Sequence, residues 1–349
     1  MTNAQVAINE DNSDPDVSAM LDVSSTDKGL LLPRMSEAER DLIQNPAQGL
    51  MIYNTTDSCF NYYTGMEWYK DCGRDLTTDK ATLSPITFNA TDTDDAEDIA
   101  FDSQGNILIT GQFRTAIEIG DTTLTALGAS DIYLSKYDAA QNALWTRQVG
   151  SSSSIFDPHI TTDKDDNVYV MVECTGSISI GSTTLSPQGS RDVFLAKYNS
   201  EGTLQWFIQT DFSIEGSTNG DVVADEQGDV YVSGSFEGTA TFGANALSNS
   251  SNQQEAFLLK CSSNGVWQWG VQTSNSSSST TSYDVAIQSN TLYWAGEFNN
   301  DTTIGSDSYL TGVSQGFVAK FDTDGNYVSS MAIGGGDYLE AYAIAVDDS

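Results

Sequence analysis

Histidine is almost missing from this sequence: His159 is the single one in 349 residues. A Ser/His/Asp or Cys/His arrangement would have to use it, no Gly-x-Ser-x-Gly elbow accompanies it, and no second histidine exists for a paired zinc site. It lies in IFDPHI, residues 155–160, which reads as a loop between two repeats, so a surface position is expected. Cations are scarce as well, with 14 Lys and Arg against 49 Asp and Glu, a formal net charge of -35 at pH 7. Such a surface repels phosphate backbones and anionic lipid, so it excludes nucleic acid and membrane surfaces as partners but leaves divalent cations open. No apolar run approaches the ~18 to 20 residues that cross a bilayer, which excludes membrane insertion by a helix. The opening MTNAQVAINED has neither the basic start nor the apolar stretch of a secretory signal, so export by another route, or a processed start, is expected. Proline is rare, at 6, whereas Gly, Ser, Thr, Asn, Asp and aromatics are plentiful. That is the composition of short strands joined by polar turns.

Cysteine is limited to 4 residues of two kinds. Cys59 and Cys72 flank FNYYTGMEWYKD, which reads as a hairpin turning near Gly65. Positions placed symmetrically about such a turn come within disulfide reach, and a bridge would imply an oxidising compartment; two reduced core cysteines is the competing reading. Cys174 and Cys261 belong to a repeat.

Residues 1–75 form a module distinct from the rest. SAMLDVSS reads as a strand, KGLLLPRM as an extended apolar segment and SEAERDLIQN as a short helix, with Ser36 and Glu39 in capping-box spacing and Pro46 just past its end. GLMIYNTTDSCFNYYTGMEWYKDCG then alternates apolar and polar residues around a turn, and so small a hairpin needs another surface to pack against. The order LDVSSTDKGLLLPRM, ERDLI, PAQGLMIYNTT and YYTGMEW resembles an N-terminal module of bacterial tail-fibre-like and surface-appendage proteins over about residues 19–73. The resemblance implies an extracellular or particle-borne structural role, often in an oligomer, and brings no catalytic residues with it.

Beyond a linker, residues 76–90, the chain repeats itself. NILITGQF, NVYVMVEC, DVYVSGSF and TLYWAGEF end at Phe113, Cys174, Phe236 and Phe298, spaced by 61, 62 and 62 residues. Gly120, Gly181, Gly243 and Gly305 follow at the same intervals, and Lys136, Lys197, Lys260 and Lys320 by 61, 63 and 60. Units of this length with four or five strands and no helix predict an all-β fold. Residues 91–349 would be a β-propeller of four complete four-stranded blades, at about 91–152, 153–215, 216–277 and 278–336, plus the start of a fifth at 337–349. A right-handed β-solenoid is the runner-up, disfavoured because its rungs are shorter. The motif order resembles the bacterial seven-bladed β-propeller repeat family across residues 91–349. Cys174 takes the place of a phenylalanine and Cys261 that of Tyr137, Tyr198 and Phe321, so both are expected as small core hydrophobes.

Candidate chemistry is thin. Asp322, Asp324 and Asn326 alternate as the first oxygen ligands of a calcium loop do, but Tyr327 and Ala332 stand where the glycine and glutamate of an EF-hand belong, and a structural turn is preferred. No other cofactor is expected. The acidic run from Asp92 to Asp98 reads as a solvated stretch. Trp145, Trp206, Trp267 and Trp269 recur within the units, which predicts packing between blades rather than a sugar-stacking surface. The recurring lysines alternate with apolar neighbours, which predicts a solvent-facing row.

The expected function is therefore a non-enzymatic structural or adhesive component of a bacterial extracellular appendage, fibre or tail-fibre-like particle. In that reading the chain is a homo-oligomer or is joined to other subunits, and its propeller is a spacer or a head for a cell-surface glycan or protein. A propeller enzyme or lectin for extracellular polysaccharide is the alternative. The last residues, AIAVDDS, repeat DIAFDSQ at 98–104. They are read as the first strand of a further blade, in a longer array rather than a closed four-bladed ring.

Overall fold

Runs of Val, Ile, Tyr and Phe cut by Asp, Asn and Gly turns fold here as short strands. The computed structural model describes residues 6–8, 14, 18, 21–27, 29–71, 86, 88–90, 92, 94–187, 191–212, 220–249, 253–275, 279–334 and 339–347. The chain divides into two units, Met1–Ser84 and Pro85–Ser349.

In the first unit β1 (Val6–Ile8) pairs in parallel with β2 (Leu21–Val23). A second sheet is ordered β3 (Arg34–Met35), β4 (Met51–Asn54), β5 (Cys59–Tyr63) and β6 (Trp68–Asp71). Strands β3 and β4 run parallel because the connection through α1 (Glu37–Arg40) carries the chain back; β4, β5 and β6 form an antiparallel meander. The capping box is present: the Ser36 hydroxyl accepts the Glu39 amide at 3.3 Å, and the Ser36 amide donates to the Glu39 carboxylate at 2.8 Å. The helix nevertheless ends at Arg40, well short of Asn45, because it buries no residue and nothing rewards extending it. Beneath it, Asn54 and Asn61 are buried and hydrogen-bonded to each other at 3.1 Å, and Arg40 donates to Asn61 at 2.8 Å. Ile52 and Cys59 are the buried apolar side chains of this unit among the described residues, whereas Leu31, Leu42 and Met66 are 76%, 73% and 92% exposed. The expected partner of Cys59, Cys72, lies outside the described residues.

In the second unit β7 (Asn89–Ala90) precedes four blades. Blade 1 comprises β8 (Asp98–Phe101), β9 (Ile107–Phe113), a side hairpin β10 (Ala116–Ile119) and β11 (Thr122–Thr125), then β12 (Asp131–Tyr137) and β13 (Ala143–Ser151). Blade 2 comprises β14 (Ile155–Thr162), β15 (Val168–Cys174), the hairpin β16 (Ile178–Ile180) and β17 (Thr183–Leu185), β18 (Asp192–Tyr198) and β19 (Leu204–Gln209). After β20 (Asp211–Phe212), blade 3 comprises β21 (Val222–Ala224), β22 (Val230–Phe236), the hairpin β23 (Thr239–Phe242) and β24 (Asn245–Ser248), β25 (Glu255–Cys261) and β26 (Trp267–Gln272). Blade 4 comprises β27 (Thr280–Gln288), β28 (Thr291–Asn299), the hairpin β29 (Thr302–Ile304) and β30 (Asp307–Tyr309), β31 (Ser314–Asp322) and β32 (Tyr327–Ile333).

Each blade is an antiparallel meander, and the first strands β8, β14, β21 and β27 contact one another in series, which sets them along the inner edge. This is a β-propeller. The repeat landmarks share one register: Phe113, Cys174, Phe236 and Phe298 stand opposite Asp131, Asp192, Glu255 and Gln315. Cys174 and Cys261 are free thiols buried in the core, in the aromatic slots expected of them. The side hairpins tie neighbours together, β16 to β13 and β23 to β20, and β10 pairs with β7, which thus supplies for blade 1 what the end of a preceding blade supplies elsewhere. Residues 339–347 form no strand, because no described strand pairs with them. The Ile344 amide still donates to Asp284 at 2.6 Å, as Ile160 does to Asp98 at 2.8 Å.

The middle strands of blades 2 and 3 are buried on both faces, since each of these blades is sandwiched between two neighbours; β15, β18, β22 and β25, and β12 of blade 1 as well, have no exposed residue. That overturns the solvent-facing row of lysines. Alternation marks a solvent face only where one face is wet. Lys136, Lys197 and Lys260 are buried and paired with Asp102, Asp163 and Asp229 at 2.8, 3.8 and 3.0 Å. Each also donates into the next blade's last turn, to the carbonyls of Ser200, Ser263 and Thr323. The same three carbonyls accept the indole N–H of Trp145, Trp206 and Trp269 at 3.0, 3.0 and 3.3 Å, so these tryptophans do pack between blades. Trp267 occupies a different place, against Phe242, and donates to Gln209.

The turn that receives each tryptophan needs glycine. At Gly325 φ is +84°, and a Cβ would lie 2.9 Å from the Trp269 ring. Gly325→Ala is therefore expected to cost at least about 1–2 kcal/mol from the left-handed backbone alone. Thermal denaturation would show it as a lowered Tm; an unchanged Tm would mean that the blade 3 to blade 4 contact does not depend on this close approach.

Candidate functional site on the inner strands

One position of the inner strands, equivalent in every blade, carries a titratable group: Asp98 on β8, His159 on β14, Asp221 just before β21 and Asp284 on β27. In blades 2 and 4 a β-bulge immediately precedes it, between Phe156 and His159 and between Ser282 and Asp284. Such bulges re-aim the following side chain. In blade 2 the bulge accommodates Pro158, which has no amide for the ladder, and Asp157 at φ +47°. His159 is therefore on a strand rather than in a surface loop. Its side chain is 29% exposed, with Nδ1 at 3.3 Å from Asp221 Oδ1 and 3.8 Å from Asp98 Oδ2.

The electrostatics follow from burial and from this crowding. At Asp98 burial pushes the carboxyl up, against the amides of Ile160 and Ile99 that favour its charge. His159 is pulled down by burial, but the hydrogen bond to Asp221 and the charges of Asp221, Asp98 and Asp157 outweigh this and raise it. Burial also pushes Asp221 up, yet hydrogen bonds from His159 and Asp284 hold it below the usual carboxylate range. Asp284 is pushed up to about 7 by burial and by its hydrogen bond to Asp221. Glu97, beside them in sequence, is raised by burial and by Asp157. The acidic run from Asp92 to Asp98 is thus not wholly solvated, because Asp98 is half-buried on β8.

Taken one at a time, these residues carry no signal of a site. Aligned by the repeat, the residues before Ile99, Ile160, Val222 and Val285 read Asp, His, Asp, Asp, a signal present in the sequence. The calcium candidates lie elsewhere, in the turn between β31 and β32. There Asp322 accepts the amides of Asp324 and Asn326 at 3.0 and 2.8 Å and the Asn326 side chain at 2.9 Å. Both of its oxygens thus serve the turn. Asp102, Asp163 and Asp225 accept amides in the same way after the first strands of blades 1 to 3.

Comparison with known proteins bears on both units. Residues 7–84 match the family described as a phage tail like trimerisation region, and residues 144–171 match the β-propeller repeat family. A protein described as an uncharacterized WD repeat-containing protein of Acanthamoeba polyphaga mimivirus is 25% identical over 217 residues, covering 50% of this chain. The match spans 16% of that protein's length. Among solved structures, the polysaccharide lyase Uly1 aligns with a TM-score of 0.35 and 9% identity, over 68% of this chain and 48% of that one.

The inner row predicts a pH dependence. Asp284 keeps, in the folded state, a proton that an unfolded aspartate with an ordinary value of 3.8 has already released. Its contribution to stability is complete below the unfolded value and is lost as pH rises through about 7. His159, also raised, acts in the same sense, so comparing Asp284→Asn with the parent isolates the carboxyl. In metal-free buffer the Tm of Asp284→Asn is expected to fall less than the parent's between about pH 5 and pH 8. Parallel curves would show that Asp284 is ionised throughout.

Proposed function

We propose that this chain is a non-enzymatic structural subunit of a fibre on a secreted appendage or tail-like particle. In this reading its first unit joins three copies and its propeller serves as a rigid spacer or binding head. The observation that carries the proposal is the match of residues 7–84 to a phage tail like trimerisation region, on a unit whose apolar side chains are unusually open to water. Leu30, Leu31, Leu42 and Met66 are each at least 65% exposed, on connections around a sheet with little core of its own. Apolar area of that extent on a small unit is the mark of a surface that is covered in the assembly. A homo-oligomer follows, with copies packing through the first unit. The propeller supports a mechanical role by its construction, since every blade junction is fixed by the paired lysine and tryptophan donors. An extracellular setting is consistent with the acidic surface, and a Cys59–Cys72 bridge would suit it.

Sedimentation of the whole chain should give three times the chain mass. Leu30→Glu combined with Leu31→Glu should shift it toward monomer while leaving the propeller's melting transition in place. A monomeric parent at micromolar concentration would overturn the proposal, and turnover of a polysaccharide by the purified protein would overturn its non-enzymatic part.

A further inference from the structure

Three inner-strand side chains, from three successive blades, converge with a mixed nitrogen and oxygen donor set. His159 Nδ1, one oxygen of Asp98 and one of Asp221 all lie within 4.8 Å of one another. The separations from Nδ1 are 3.3 Å to Asp221 and 3.8 Å to Asp98. A tetrahedral ion with bonds of about 2.0–2.1 Å holds its ligand atoms about 3.3 Å apart, so the two separations from Nδ1 stand close to that spacing already, and the third is below 4.8 Å. We propose that Asp98, His159 and Asp221 bind a divalent transition ion of the zinc or manganese class, which ties the inner strands of blades 1, 2 and 3 together.

An imidazolium alone does not complete this arrangement. Nδ1 carries one proton and can donate it to one carboxylate; Asp221 is in reach, whereas Asp98 at 3.8 Å is beyond hydrogen-bond distance. An ion between the three atoms would bring Asp98 and Asp221 into one contact with Nδ1. Both carboxylates are held by outer groups, as metal ligands are: Asp98 Oδ2 accepts the Ile160 amide at 2.8 Å, and Asp221 is hydrogen-bonded to Asp284. The local charge favours a cation too. Among the described residues, His159 is the ion-pair partner of both Asp98 and Asp221, and Glu97, Asp157 and Asp284 add further acidity around it. The side chains are 20–29% exposed, which leaves room for a water to complete the coordination. The imidazole donor suits zinc and the two carboxylates admit manganese, whereas calcium and magnesium prefer oxygen alone. Binding requires neutral His159, so it releases a proton.

The test is titration calorimetry of the whole chain, freed of metal with chelator, against zinc chloride, manganese chloride and calcium chloride. Zinc or manganese should bind at one ion per chain with release of protons at about pH 6, read by repeating the titration in buffers of different ionisation enthalpy. Asp98→Asn and His159→Gln should each weaken binding by about 10–100-fold or more while the metal-free Tm stays within a few degrees of the parent's. Three results would each overturn the site: no zinc or manganese binding, binding without proton release, or binding that both folded variants retain. A calcium response without a zinc response would overturn it as well, because oxygen-only selectivity does not involve His159. Since the oligomeric state is read separately, failure here leaves the trimeric fibre reading untouched.

Discussion

One carbonyl at each blade junction carries the propeller. Ser200, Ser263 and Thr323 each accept a buried lysine ammonium and an indole N–H from the preceding blade. The two donors do different work. The indole brings apolar area between the sheets, whereas the lysine, neutralised by an aspartate of its own blade, brings a charge that would be expensive to bury unpaired. Because the acceptor belongs to the neighbour, neither residue is satisfied unless the blades are in register. A sliding error of one residue would strand an ammonium and an indole N–H in the core, so the junction fixes position as well as affinity.

The architecture could be read in the sequence because this constraint recurs. A junction that needs a lysine, a tryptophan and a tight turn at fixed places imprints a period of about 61 residues, and Phe113, Cys174, Phe236 and Phe298 keep it. What could not be read was which side of a strand is wet. Lys136 and its equivalents follow an apolar alternation that would mean solvent on an exposed sheet, and here mean a buried ion pair. At His159 the stretch between two repeats reads as a loop, and the bulge that carries it into a strand cannot be seen in one dimension. The short helix shows the converse: its capping box was legible at Ser36 and Glu39, while its length was not, because length depends on what the helix packs against.

The two units solve opposite problems. The second unit buries its aromatic and branched side chains between its own blades, with Trp294, Tyr169, Tyr231 and Phe257 fully enclosed. The first buries few and leaves leucines and methionines in water. A chain with a net charge of -35 resists casual association, so the exposed leucines and methionines of the first unit fit the assembly role proposed above.

The inner row sets a structural duty beside a chemical one. Asp98 and Asp284 each accept a backbone amide of the segment that follows, from Ile160 and from Ile344, and an aspartate at this place suits a repeat that must cap its neighbour's backbone. A histidine cannot fill that role as an anionic acceptor, so the single histidine of the chain breaks the rule at blade 2. It does so between two carboxylates that keep the ordinary residue. Were the position only a cap, an aspartate there would bring a third negative charge against Asp98 and Asp221. His159 relieves that repulsion by pairing with both carboxylates at once, so the one exception to the rule links the inner edges of three blades.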